Sequence, residues 1–283
     1  VFKRLDPLDD PAFEVADEVF ADVCERLSSE NSPFNFDAIP IHILGSIYER
    51  FLGSVIRATA QRVFVEEKPE VRKAGGVYYT PEYIVRYIVA QTVGKLITGK
   101  TPVEVAKLRF ADIACGSGSF LLGVFDELLR HHAEYYNQPG NEKQAKKDGC
   151  VQTEDGLWRL SLAQRRAILQ NNIYGVDIDR QAVEVAQMSL FLKLLEDERA
   201  TSARQYQLDY ARDANLKKLL PDLSSNIVCG NSLVGWDVAN AMGLDQDGER
   251  LLNPLDFEAA FPAVVRAGGF DAVVGNPPYL NID

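Results

Sequence analysis

The run Asn276-Pro277-Pro278-Tyr279 follows directly on Phe270-Asp-Ala-Val-Val-Gly275 and brings together residue types with a definite chemical use. The apolar stretch 272–274 predicts a short buried strand. Two consecutive prolines then end any regular structure, because they lack N–H donors and fix φ, and Pro277 biases Asn276 toward an extended conformation. The resulting rigid loop offers a carboxamide, the carbonyl of Pro277 and the ring of Tyr279. That set suits gripping a planar, amine-bearing group, although an ordinary Pro-Pro turn accounts for the four residues equally well on their own.

A second set lies upstream. Asp112-Ile-Ala114-Cys-Gly116-Ser-Gly118-Ser-Phe120 reads as a turn from a strand into a helix. Glycines there let backbone approach a ligand and adopt torsions that side chains forbid. The dinucleotide fingerprint G-x-G-x-x-G does not fit, since Leu121 stands where its third glycine belongs. Asp112 would repel a pyrophosphate but suits an ammonium or a hydroxyl. Asp177, at the end of the strand-like Tyr174-Gly-Val-Asp177-Ile178, stands where a ribose-binding carboxylate does in doubly wound nucleotide sites. It follows Gly118 by 59 residues where ~20 is usual, a gap that the 137–155 insertion and an extra helix would explain. Asp179 reads as the cap of the next helix. In Cys229-Gly230-Asn231-Ser232 the amide could meet an adenine edge, or the segment could be a plain polar turn.

The elements around these residues alternate. Helices are expected over 81–97, with Thr80 as N-cap, and over 119–136, 160–170 and 182–195. Strands are expected over 108–113, 173–178, 226–228 and 272–274, and the polar stretch 137–155 as a loop insertion. Such alternation implies an α/β domain with a parallel sheet covered on both faces. Residues 1–75 read as a helical domain, with Phe13, Ala16, Val19, Phe20, Val23 and Leu27 at helical spacing, then Ile43, Leu44, Ile47, Tyr48, Phe51 and Leu52. The Gly75-Gly76 pair marks the boundary, so residues 76–283 form the second domain.

With 283 residues, 46% of them apolar, the chain can build a sizeable core. It contains no apolar run of ~18 residues, so no membrane association is expected. Four dispersed cysteines without a C-x-x-C pair, and three histidines, argue against a metal site and for reduced thiols in the cytoplasm. A net charge of −11 is unusual for a nucleic-acid binder, although basic residues outnumber acidic ones between Arg50 and Arg109. That stretch is either a DNA-facing edge or a set of solvated helix faces. Glu66-Glu-Lys68 matches half of a nuclease site, but no Pro-Asp precedes it, and it reads as a solvated charge run.

Taken in order, Asp112-x-Ala-Cys-Gly-Ser-Gly-x-Phe120, the strand acid Asp177 and Asn276-Pro-Pro-Tyr279 resemble the amino-group DNA methyltransferases that use S-adenosylmethionine. Gly76-Val-Tyr-Tyr-Thr80-Pro81, ahead of the glycine turn, resembles the methionine-binding motif of the gamma-type adenine-N6 enzymes. The front end, with Ile43-Leu-Gly-Ser-Ile-Tyr-Glu-Arg-Phe-Leu-Gly53, is similar to the connector before the methylase part of single-chain, type IIG-like restriction-modification enzymes. The resemblance implies a Rossmann-like methyltransferase sheet, incomplete at the C-terminus. Thr80, Asp112, Ala114, Gly116 and Gly118 would hold the methionine end of S-adenosylmethionine. Asp177 would hold the ribose, Ile178 would lie against the adenine ring, and Asn231 would meet its amine, where the family usually has Asp. Asn276 and Pro277 would accept hydrogen bonds from N6 of an adenine flipped out of duplex DNA and stacked on Tyr279. It further implies a fragment of a longer chain, lacking the C-terminal target-recognition region and leaving open an N-terminal nuclease. Methylation of an RNA base or a protein glutamine, and a cofactor-binding module without chemistry, are the alternatives.

Overall fold

The computed structural model describes residues 16–28, 41, 43, 47, 54–58, 63–67, 80–196, 220–243, 245, 248, 249 and 252–277. In chain order these are α1 (Asp17–Ser28), β1 (Ser54–Ala58), β2 (Val63–Glu67), α2 (Glu82–Val89), α3 (Pro102–Val105), β3 (Phe110–Asp112), α4 (Ser119–Tyr136), α5 (Glu142–Lys147), β4 (Val151–Gln152), β5 (Trp158–Arg159), α6 (Leu162–Asn172), β6 (Ile173–Asp177), α7 (Arg180–Leu195), β7 (Ile227–Cys229), α8 (Trp236–Ala241), α9 (Phe257–Ala260), α10 (Pro262–Arg266) and β8 (Ala272–Val273). The central sheet has the order β7-β6-β3-β8. Every neighbouring pair in it is parallel, with Phe110 opposite both Ile173 and Ala272, and Gly175 opposite Ile227.

Successive residues of a strand face opposite sides of its sheet, and here each side has its own core. Phe110 and Ile173 join the larger cluster, with Val85 and Val89 of α2, Phe120, Leu121 and Phe125 of α4, and Leu190 and Leu194 of α7. Ala111, Tyr174 and Val176 face the other way, onto Phe261 and Val264. Tyr174 and Phe261 meet edge to face at 5.7 Å, and Phe261 and Phe270 at 5.5 Å, an arrangement aromatic quadrupoles favour. The sheet is therefore covered on both sides, as the alternation of elements predicts. Below it, Asn172 Nδ2 donates to the carbonyls of Val105 and Leu108, and Asn226 Nδ2 to those of Gln170 and Ile173. These buried amides tie the starts of the strands to the preceding turns.

Several expectations need correction. The front of the chain is not uniformly helical: β1 and β2 form an antiparallel hairpin, with Ser54 opposite Glu67. Its β-branched residues (Val55, Ile56, Val63, Val65) fit a strand better than a helix. The insertion 137–155 is not a bare loop but holds α5 and, with β5, an antiparallel hairpin. Thr80 is not the cap of α2. Pro81 occupies that position with no side-chain cap bond, and the helix passes into a π-helical turn over Ala90–Gly94. The expected helix over 160–170 begins at Leu162 because Ser161 and Gln164 form a capping box. Asp179 does cap α7, accepting from the Gln181 N–H at 2.8 Å. Gly75, Gly76, Pro278 and Tyr279 lie outside the described residues. No described helix is long and apolar enough to cross a membrane, and no metal-ligand cluster occurs among the described residues.

Candidate active site

Parallel strands bring their C-terminal ends to one edge, and β3, β6 and β8 deliver Asp112, Asp177 and Asn276 there. Backbone bonds set the register of the loops between them. The Cys115 N–H donates to the Val176 carbonyl at 2.9 Å, the Gly230 N–H to the Asp177 carbonyl at 2.8 Å, and the Val274 N–H to the Ala111 carbonyl at 2.9 Å. Ser232 Oγ donates to the Ile113 carbonyl at 2.6 Å, which draws the loop after β7 onto the loop after β3. Ser232 therefore has a positioning part that its sequence context does not advertise.

Asp177 Oδ2 accepts the Gly116 N–H at 2.7 Å, and Oδ1 accepts the Asp179 N–H at 2.9 Å. The glycine turn and the expected ribose-binding acid are thus in direct contact, although 61 residues separate them. Gly116 and Gly118 have φ of 51° and 91°. Gly118 also faces α7, where an added Cβ would lie 3.1 Å from Ala186 Cβ and 3.2 Å from its Cα. Gly118→Ala is expected to cost about 1–3 kcal/mol of stability through its backbone torsion. The urea midpoint should fall with the slope unchanged, and an unaltered midpoint would contradict the account of this turn.

Asp112 is 2% exposed, and its Oδ1 accepts the Ala114 N–H at 3.1 Å. Burial pushes its carboxyl up to about 7, opposed by the Ala114 bond and assisted by the Asp177 carboxylate. Burial also raises Asp177, opposed by the N–H groups of Asp179 and Gly116. Two desolvated carboxyls thus stand at the ends of the neighbouring strands β3 and β6. Cys115 is buried with its thiol pushed far up by burial, so it is packing and not a nucleophile. Ile178 lies beside Asp177 and is 54% exposed. Asn231 Oδ1 accepts the Leu233 N–H at 3.0 Å, so the oxygen of that amide serves the local turn.

The loop after β8 closes the group. A Cβ on Gly275 would fall 2.5 Å from Asp112 Oδ1, so the absent side chain is what lets the strand pass the buried acid. The significance of Gly275 was invisible in the sequence beyond its place before Asn-Pro-Pro. Asn276 is exposed, and its Nδ2 donates to Thr80 Oγ1 at 3.2 Å. The structure therefore unites Thr80, Asp112, Ala114, Gly116, Asp177 and Asn276, with Gly118 behind them at the start of α4. Pro277 is described and exposed. Of the expected site, only Tyr279 lies outside the described residues.

A parallel sheet with a glycine turn after one inner strand and an acid at the end of the next defines an α/β fold of methyltransferase type. The N-6 DNA Methylase family profile matches residues 40–219, and the Eco57I restriction-modification methylase profile matches residues 171–283. The chain belongs to the N-6 DNA methylase family. It is 31% identical over 258 residues to the type II restriction enzyme and methyltransferase RM.Eco57I of Escherichia coli, covering 91% of this chain and 23% of that one. It is 25% identical over 240 residues to the adenine-specific methyltransferase PglX of Streptomyces coelicolor, covering 82% of this chain and 16% of that one. The chain thus spans less than a quarter of the length of these curated relatives. Membership of the family implies a methyl donor.

Proposed function

We propose that this chain carries the methyl-transfer centre of a restriction-modification protein that moves a methyl group from S-adenosylmethionine to N6 of an adenine flipped out of duplex DNA. The observation that carries this reading is the meeting of Asn276 with Thr80 and of Gly275 with Asp112. Those contacts support reading the loop after β8 and the two strand-end acids as parts of one site.

When bound, the cofactor supplies an electrophilic methyl on a sulfonium. The chain's residues do the rest. Asp112, buried and with no cationic partner among the described residues, suits the methionine ammonium, and Thr80 suits the carboxylate end. The glycines of the turn Ala114–Gly118 keep side chains out of the way of the same end, and Asp177 accepts from the ribose hydroxyls. Ile178 offers an exposed apolar surface to the adenine ring, and Asn231 has its amide at the rim. Adenine N6 is a poor nucleophile because its lone pair is delocalised into the ring. Asn276 Oδ1 and the Pro277 carbonyl accept its two hydrogens and favour a pyramidal, electron-rich nitrogen, a transition-state electrostatic effect. With its two hydrogens held by those acceptors, N6 would be turned toward the methyl group that the bound cofactor supplies. A base cannot be reached inside a duplex, so it must be flipped, and Tyr279 is its stacking partner. Stacking of this kind contributes ~1–3 kcal/mol.

The test uses the complete protein with tritiated S-adenosylmethionine and, in parallel, unmethylated duplex DNA, RNA and protein. Label recovered as N6-methyladenine from the duplex is the expected result. Label in RNA or on glutamine, or cofactor binding in calorimetry with no transfer to any of the three, would overturn the reading.

A further inference from the structure

The proposed chemistry leaves one problem unsolved: a carboxamide has two nearly isosteric orientations, and only one of them works. With Oδ1 toward the target, Asn276 accepts from the N6 amino group. With Nδ2 toward it, donor faces donor. An exposed asparagine in a loop has no intrinsic preference, because oxygen and NH₂ are alike in size and opposite only in hydrogen-bond polarity. Some neighbour must break the symmetry.

Thr80 is that neighbour. The expected part for its side chain was capping α2, but Pro81 takes the cap position without a side-chain bond, and the hydroxyl receives Asn276 Nδ2 at 3.2 Å across 196 residues. Among the described residues Asn276 makes this side-chain hydrogen bond and no other, and it commits the NH₂ end of the amide toward Thr80. Gly275, immediately before, is pressed against the Asp112 carboxyl, which fixes the base of the loop while Thr80 fixes its amide. A hydroxyl has one proton and two lone pairs. While Thr80 Oγ1 accepts from Asn276, its proton remains to be donated elsewhere.

We propose that Thr80 is a positioning residue for transfer, its hydroxyl holding Nδ2 of Asn276 so that Oδ1 is presented to the amino group of the target base. The idea rests on the reading above and extends it to a link between the two halves of the site. A hydroxyl whose proton is drawn to an anionic group can only accept from the amide, so the productive orientation is strengthened when an acceptor lies on the far side of Thr80. Hydrogen bonds in such a chain reinforce one another. A carboxylate-bearing cofactor would provide that acceptor, which would make the orientation of Asn276 depend on cofactor occupancy.

The experiment compares wild type, Thr80→Val, Thr80→Ser and Asn276→Ala in the complete protein with S-adenosylhomocysteine present. It measures the ratio of duplex Kd values when the methylated adenine is replaced by purine, which lacks the amino group. A structural role for Thr80 would weaken both duplexes alike and leave the ratio unmoved. The positioning role predicts that Thr80→Val shifts the ratio about tenfold, to that of Asn276→Ala, the scale of one lost hydrogen bond. It also predicts that Thr80→Ser restores the wild-type ratio. Single-turnover rates should show the same order, with Thr80→Val adding no loss in an Asn276→Ala background. A wild-type ratio in Thr80→Val, or losses that multiply in the double variant, would overturn the proposal. A wild-type ratio equal to that of Asn276→Ala would instead sink the adenine-N6 reading itself.

Discussion

Asn276→Ala is expected to lower the single-turnover rate of methyl transfer by about 10²–10³-fold in the complete protein, the usual effect of removing one preorganised electrostatic partner of a transition state. Affinity for the cofactor should change by no more than a few fold, the reciprocal of the cofactor's effect on the amide. The side chain's bond goes to Thr80, and the acids that would hold the cofactor are fixed by other contacts: Asp177 by the Gly116 and Asp179 N–H groups, Asp112 by that of Ala114. Asn276→Asp separates acceptor from orientation. A carboxylate presents an acceptor toward N6 in either orientation, so Asp should lose less than Ala. Rapid-quench measurement of transfer, beside calorimetric titration of the cofactor, checks both parts. Transfer within a few fold of wild type in Asn276→Ala, or a parallel collapse of cofactor binding, would remove the loop from the chemistry.

Most of the site was legible because its residues stand at strand ends, where local sequence carries both element and chemistry. The apolar run before Asp177, the glycines after Asp112 and the prolines after Asn276 each announce a strand and its stop. A parallel sheet then brings those stops to one edge without further information. What could not be read was anything set by contacts between distant segments. Thr80 looked like a cap because Thr-Pro before an apolar period usually is one, and only the approach of Asn276 gives its hydroxyl another partner. Gly275 looked like a strand-end residue, and its function depends on a carboxyl 163 positions away in the chain. The hairpin β1–β2 lies past Leu52, the last residue at helical spacing in the front of the chain, and the helical reading of residues 1–75 carried over it without a period of its own to support it. Asp112 was legible as an acid but not as a desolvated one, since burial is a property of the fold.

That burial leads to the second large effect. Asp112 is raised from 3.8 to about 7 in the folded protein, so the native state binds its proton more tightly than the unfolded chain does. The linkage therefore runs opposite to that of a salt-bridged aspartate. Stability from this group is greatest below about pH 4 and is lost as pH rises toward 7, by up to about 4 kcal/mol. Asp177, also raised by burial, acts in the same direction. Asp112→Asn keeps the shape and the acceptor for the Ala114 N–H but cannot ionise. It should raise the urea midpoint at pH 8 and leave it almost unchanged at pH 4. Cofactor binding should show the reverse preference, because a methionine ammonium needs the ionised acid. Wild-type Kd should tighten by up to about tenfold per pH unit between pH 5.5 and 7 and weaken again above about 8, where the cofactor's own α-amino group loses its proton. Asp112→Asn should bind weakly with no such slope. If the variant were destabilised at pH 8, or kept the wild-type pH profile for the cofactor, Asp112 would be a structural acid and not the cofactor's counter-charge. The two measurements together express one cause: a carboxylate held out of water at the folded state's expense is poised for a cation, and the variant that relieves the cost loses the use.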